Sequence, residues 1–166
     1  EGRDDASSKV IVSLLAWLTG ALIFVESSIS VLTVGSLYRP LFDKLGISRE
    51  KLAYIADSSS APSSILIPFN GWGAFIMSLL AAQGFGGPFA TMIKLNGWNF
   101  YPIPALFLVP AIILWKKDLG PMQAAEKRTQ EGELLWPDAQ PMVADELTEQ
   151  EVAPGVEPKA YNMVVP

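Results

Sequence analysis

Two acids stand where acids are costly. Glu26 opens the segment ESSIS inside an otherwise apolar run, and Asp57 opens DSSSAPSS just ahead of another. Carboxylates at bilayer depth are expensive, and their usual explanation is an ion or proton path. Each has hydroxyl neighbours: Ser27, Ser28 and Ser30 beside Glu26, and Ser58, Ser59 and Ser60 beside Asp57. Sodium is a hard cation that takes oxygen ligands, including hydroxyls and unwound backbone carbonyls. A buried carboxylate favours its neutral form, so one such group can hold a proton or a sodium ion but not both well. That competition is the chemistry of antiport. The expected ion- and proton-binding residues are Glu26, Ser27, Asp57, Ser58, Ser59 and Asn70, with Na+ at Glu26 and Asp57. Plainer roles stand beside these: a packing or salt-bridge acid for Glu26, an Asx turn or cap for Asp57, and for Asn70 a partner to backbone opened by Pro68. Trp72 reads as packing and Arg39 as an orientation anchor.

Helices must carry these residues. Residues 10–38 are almost wholly apolar apart from Glu26 and its serines. As one straight helix they would be roughly 43 Å long, against about 30 Å of hydrocarbon, so a break is expected at ESSIS. Arg39-Pro40 ends this span, and Ser48 is a natural N-cap for a short helix over residues 49–56. Pro62 should force Ala61 extended, leaving Ser63 or Ser64 to cap a new helix, so residues 57–64 read as a polar knot. The run 65–83 holds IPFNGWGAF, in which Pro68 and Gly71 mark a further interruption. The expected helix-breaking positions are therefore Pro62, Pro68 and Gly71. Residues 84–97 read as a Gly-rich loop or re-entrant segment. Residues 98–115 form another apolar span with Trp98, Tyr101 and Trp115 near its ends. Pro121 suits the start of a polar helix over 122–135. The acidic, proline-containing stretch after it reads as disordered linker.

The fold class expected is an all-α membrane protein: a partial transporter bundle with broken helices and an optional re-entrant hairpin, then a polar cytoplasmic helix and a disordered acidic linker. Residues 1–117 form the transmembrane region, 118–160 the cytoplasmic helix and linker, and 161–166 the start of a next element. The basic connector 39–51 and the Lys116-Lys117 flank assign residues 39–51 and 116–160 to the cytoplasm. Spans 10–38, 65–83 and 98–115 then cross alternately, with residues 1–9 and 84–97 outside.

Composition removes several classes. The 166 residues are 50% hydrophobic and include no Cys and no His, which excludes disulfide frameworks, thiol catalysis and His-based acid–base work. No nucleophile–base pair stands out, so an enzyme is not expected. GFGGP, residues 84–88, lacks the strand and spacing of a nucleotide loop, and no cofactor is expected. The aromatics lack a surrounding basic patch, which weighs against nucleic acid. No secretory signal is visible, and the chain reads as an internal piece of something longer.

The stretch TVGSLYRPLFDKLGISREKLAYIADSSSAPSSILIPFNGWGAFI, with the later NFYPIPAL and DLGPMQAAEKR, resembles the NhaC-type sodium/proton antiporters of the ion-transporter superfamily. The match covers most of residues 10–135. The resemblance implies a longer parent with two related halves packed as inverted repeats. This chain would be the end of the first half plus the central linker, lying in a prokaryotic-type plasma membrane. Its partners would be Na+, H+, the lipid bilayer and the missing second half. Members often carry paired acids where this chain has Phe24-Val25-Glu26-Ser27, so one acid is replaced. Related members exchange organic acids or amino acids, which is the alternative function, with a small anion expected at the Ser63–Ser64 helix start. A non-transporting membrane scaffold is the alternative of another class.

Overall fold

The computed structural model describes residues 2–137 and 139. Among them the regular elements are all helices: α1 (Gly2–Leu22), α2 (Ser27–Leu45), α3 (Arg49–Leu66), α4 (Gly71–Ala82), α5 (Pro88–Asn96), α6 (Pro102–Trp115) and α7 (Pro121–Gln130). One compact unit runs to Leu134, and a second begins at Leu135. The first unit thus includes the polar helix. The acidic linker beyond Pro137, apart from Ala139, and the element expected at 161–166 lie outside the described residues.

The break expected at ESSIS is present, over residues 23–26, but its consequence differs from a broken span. The chain doubles back. Lys9 Nζ donates to the Gly46 carbonyl at 3.4 Å, Thr19 Oγ1 pairs with Tyr38 Oη at 2.8 Å, and Ser30 Oγ donates to the Gly20 carbonyl at 3.0 Å. These pairs make α1 and α2 an antiparallel hairpin with residues 23–26 at its tip. Lys9 and the 39–51 connector therefore share one end, the base, and the alternating scheme with residues 1–9 on the opposite side is overturned. The hairpin turns because Glu26 stops one helix geometry and starts another: its backbone is extended and its carboxylate caps α2.

At the base, α2 runs past the stop expected at Arg39-Pro40, with Pro40 interior to the helix, and ends at Leu45 in a glycine-dependent turn. Gly46 sits at φ 62°, with its N–H on Asp43 O at 3.2 Å and the Ile47 N–H on Phe42 O at 2.9 Å. Only a residue without Cβ takes this left-handed position at low cost. Ser48 then caps α3, its hydroxyl accepting from the Lys51 N–H at 3.3 Å.

Helix α3 corrects the second expectation. It runs unbroken through DSSSAPSS, so Pro62 is interior to a helix, Ala61 is helical, and Ser63 and Ser64 start nothing. Two forces outweigh the local Ser and Pro preferences. Ser59, Ser60 and Ser64 turn their hydroxyls back onto carbonyls four residues earlier, at 2.6–3.0 Å, and so stay helical. The same small side chains are buried against α1 and α2. The approach is so close that a Cβ on Gly20 would collide with Ser59 Oγ.

The interruption falls instead at residues 67–70, where Pro68 lies, and Gly71 is the first residue of α4. Residues 84–97 are not a plain loop, because Pro88 starts α5. Asn96 Nδ2 donates to the Leu66 carbonyl at 2.7 Å, so α5 brings the chain back to the end of α3. Helix α6 begins there, at Pro102, and spans roughly 21 Å at 1.5 Å per residue, shorter than the expected 98–115 crossing. Pro110 lacks the N–H that would reach the Leu106 carbonyl, and Trp17 Nε1 of α1 donates to that oxygen instead at 3.0 Å. Helix α7 starts at Pro121 as expected and stops five residues short of 135.

The core is narrow. Ala16, Val34, Phe42, Ile47, Ile55 and Val109 are buried where α1, α2, α3 and α6 meet. Outside it the surface is oily: Leu32, Phe69, Trp98, Phe100, Phe107 and Trp115 are each more than 60% exposed. The stretch Arg49–Ala82, interrupted at 67–70, is long and apolar enough to cross a membrane by length and composition.

Candidate functional site

The two interruptions meet. Asn70, the N-cap of α4, sends its amide to the Phe24 carbonyl at the hairpin tip, 3.0 Å away, and to the Ser64 and Ile67 carbonyls at the end of α3, at 2.5 and 2.9 Å. Its own oxygen accepts the Gly73 N–H at 2.8 Å. One side chain therefore ties the hairpin tip to the C-terminus of α3 and the N-terminus of α4. The N-termini carry partial positive charge and the C-termini partial negative. Gly73 is needed at this point because a Cβ there would run into the Pro68 carbonyl.

Glu26 stands at the tip, exposed on this chain. One carboxylate oxygen accepts the Ile29 N–H at 2.9 Å, and the other accepts Ser28 Oγ at 3.3 Å. A groove lined by Val25, Glu26, Gly71, Trp72 and Phe75 connects the start of α2 to the start of α4. Beside it, Ser27, Ser28, Val31, Leu32, Asp57 and Ala61 line a second groove between α2 and α3. The fold thus brings Asp57 to the serines that follow Glu26, although 31 residues separate the two acids in sequence.

Several expected site residues have other employment. Asp57 is not at a helix end; it lies mid-way along α3 and is exposed. Ser59 is fully buried at the α1–α3 crossing, its hydroxyl on Ile55 O at 2.7 Å, so it offers no ligand oxygen to a groove. Asn70 spends its oxygen on the Gly73 N–H, which is the backbone-satisfying role rather than the ligand role. Ser58, half-buried, stays next to Asp57 on α3. The Ser63–Ser64 anion position is lost, because both residues are interior to α3 and bond Ser60 O at 3.0 Å. Among the described residues no three Asp or Glu side chains gather to hold a metal ion. A cation here would depend on one or two carboxylates supplemented by hydroxyls and backbone carbonyls.

Other residues that build the junction gave weak signals in the sequence. Ser30 belongs to ESSIS, and its hydroxyl bridges the Gly20 carbonyl and Ser60 Oγ, the latter at 2.7 Å. Gly20 is a small residue in an apolar run, a pattern common at close helix crossings. Asn96 had no distinguishing neighbour pattern; only the return of α5 reveals it.

No family model matches the chain, and no solved structure matches it. A protein of Haemophilus influenzae, described only as "Uncharacterized protein", is 30% identical over 138 residues. The matched region covers 76% of this chain and 24% of that relative, so the chain spans about a quarter of the length of the curated relative it matches.

Proposed function

We propose that this chain is part of a secondary active transporter of the membrane that exchanges Na+ for H+ by alternating access. The observation that carries the reading is the meeting of two helix interruptions, 23–26 and 67–70, joined by Asn70 and flanked by Glu26 and Asp57. Interrupted helices whose ends face one another are the membrane-protein arrangement for holding ions near mid-bilayer. The exposed apolar surface adds support, since a monomer in water rarely shows so much.

The apolar arms of the hairpin, residues 10–22 and 27–38, are each about 20 Å long at 1.5 Å per residue. That is short of the roughly 30 Å hydrocarbon core, so the tip ends inside the membrane as a re-entrant hairpin. Lys9, Lys44, Arg49, Lys51, Lys116 and Lys117 flank the base, which we assign to the cytoplasm by the positive-inside rule. Glu26 is the shared proton and sodium carboxylate. Ser27, Ser28 and Ser58 add oxygens, and Asp57 is a second coupling acid across the α2–α3 groove. Further chain of the parent protein, corresponding to the remainder of the longer relative, covers these two acids and completes the path.

Glu26→Gln in the complete protein, reconstituted in vesicles, is expected to abolish sodium-driven proton movement. Transport at the wild-type rate would refute the assignment. Exchange that needs an organic acid and ignores sodium would favour the organic-anion antiporter, and silence of both Glu26→Gln and Asp57→Asn would favour the scaffold.

A further inference from the structure

Helix α7 is held unlike any other element of the bundle. Its buried residues are Ala125, Glu126, Arg128 and Thr129, so only one of the four is apolar. Glu126, 8% exposed, accepts the Ser48 N–H at 3.0 Å and Ser48 Oγ at 2.9 Å, and lies 3.9 Å from Lys51 Nζ. It therefore supplies an anion to the N-terminus of α3, where the helix dipole favours one. Lys51 also holds Asp118, just past α6, at 2.9 Å. Arg128, 6% exposed, forks onto the Glu50 carboxylate at 2.9 and 3.0 Å. The same guanidinium donates to the Glu133 and Leu134 carbonyls at 3.0 and 3.2 Å, fixing the chain as it leaves α7.

A ten-residue helix of this composition does not hold its shape alone in water. Its order depends on docking. Docking rests on ion pairs and charge-assisted hydrogen bonds, with little apolar area behind them. Removing one partner leaves a desolvated charge unpaired. Lifting off the whole helix returns every charge to water together.

We propose that α7 is an electrostatic clasp. Seated, it locks the α2–α3 connector to the end of α6 through Ser48, Glu50, Lys51 and Asp118. Released, it frees that connector and the base of the hairpin above it. The clasp does not rest on the transport reading, because its parts are the same whatever crosses the membrane.

Hydrogen exchange on the full chain in detergent tests this. Arg128→Glu places two acids together, and amide exchange in residues 121–130 and at Ser48 should rise about tenfold or more, with α1 and the core of α3 unchanged. The charge swap Glu50→Arg with Arg128→Glu restores the pairing but not the bonds to the Glu133 and Leu134 carbonyls, and should recover part of the protection. Exchange in the swap as fast as in Arg128→Glu would overturn the proposal. So would an α7 indifferent to the charge change, or loosening of all helices in step.

Discussion

At the scale of single residues, the molecule spends polar side chains on backbone groups that prolines and helix ends leave unpaired. Asn70 is the densest case, with one amide serving Phe24, Ser64, Ile67 and Gly73. Asn70→Ala removes a partner from all of these part-buried groups, and a total loss of about 1–3 kcal/mol is expected. Chemical denaturation in detergent measures it, and Asn70→Asp, which keeps the cap but loses the donors, should recover only part. Trp17 answers for Pro110 in the same way. Trp17→Phe keeps an aromatic but smaller side chain and strands Leu106 O, with an expected cost of about 1–3 kcal/mol by the same measurement. The role of Glu26 as an interruption was legible, since an acid with serines inside an apolar run has few other uses. The duties of Ser59 and Asn70 were not, because a hydroxyl or amide beside an acid looks like a ligand until its carbonyl partner is known.

At the scale of elements, the instructive case is α3. Local chemistry spells a break at DSSSAPSS, yet the helix continues because those small residues are what the α1 and α2 surfaces can accept. Burial against Gly20 and Ser30 outweighs the preference of Ser and Pro for turns, and that burial depends on residues about 30–40 positions away. Gly20→Leu should therefore wedge α1 from α3 and cost about 1–3 kcal/mol, as overpacking does, whereas Gly35→Leu, with open space around its Cβ, should be tolerated. Comparing the unfolding midpoints of the two variants decides it. Helix starts were the readable part: Ser48 and Pro121 mark α3 and α7 by capping chemistry confined to a few residues. The charges of α7 carried no such signal, since Glu126 and Arg128 on a polar helix look solvated until Ser48 and Glu50 are set opposite them.

At the scale of the whole molecule, apolar runs gave away the helices but not their direction. Residues 10–38 carry no mark that says whether the second half continues onward or returns; the pairs Lys9–Gly46 and Thr19–Tyr38 decide it. The consequence is measurable because the chain has no native cysteine. Single cysteines at Ala6 and Lys127, probed with an impermeant thiol reagent in oriented membranes, should react from the same side. Reaction from opposite sides would return the 10–38 segment to a single crossing.

On the transport reading proposed above, the shortness of the hairpin arms would have an electrical consequence. In a bilayer roughly 10 Å of hydrocarbon thickness remains beyond the tip, and water admitted on that side would bring the bulk phase down to Glu26. The transmembrane voltage, worth about 2.3 kcal/mol per unit charge per 100 mV, would then drop over the packed hairpin instead of the full lipid thickness. A monovalent ion stepping past the tip would meet a steepened field, and turnover would vary with membrane potential even where the ion gradients are held equal.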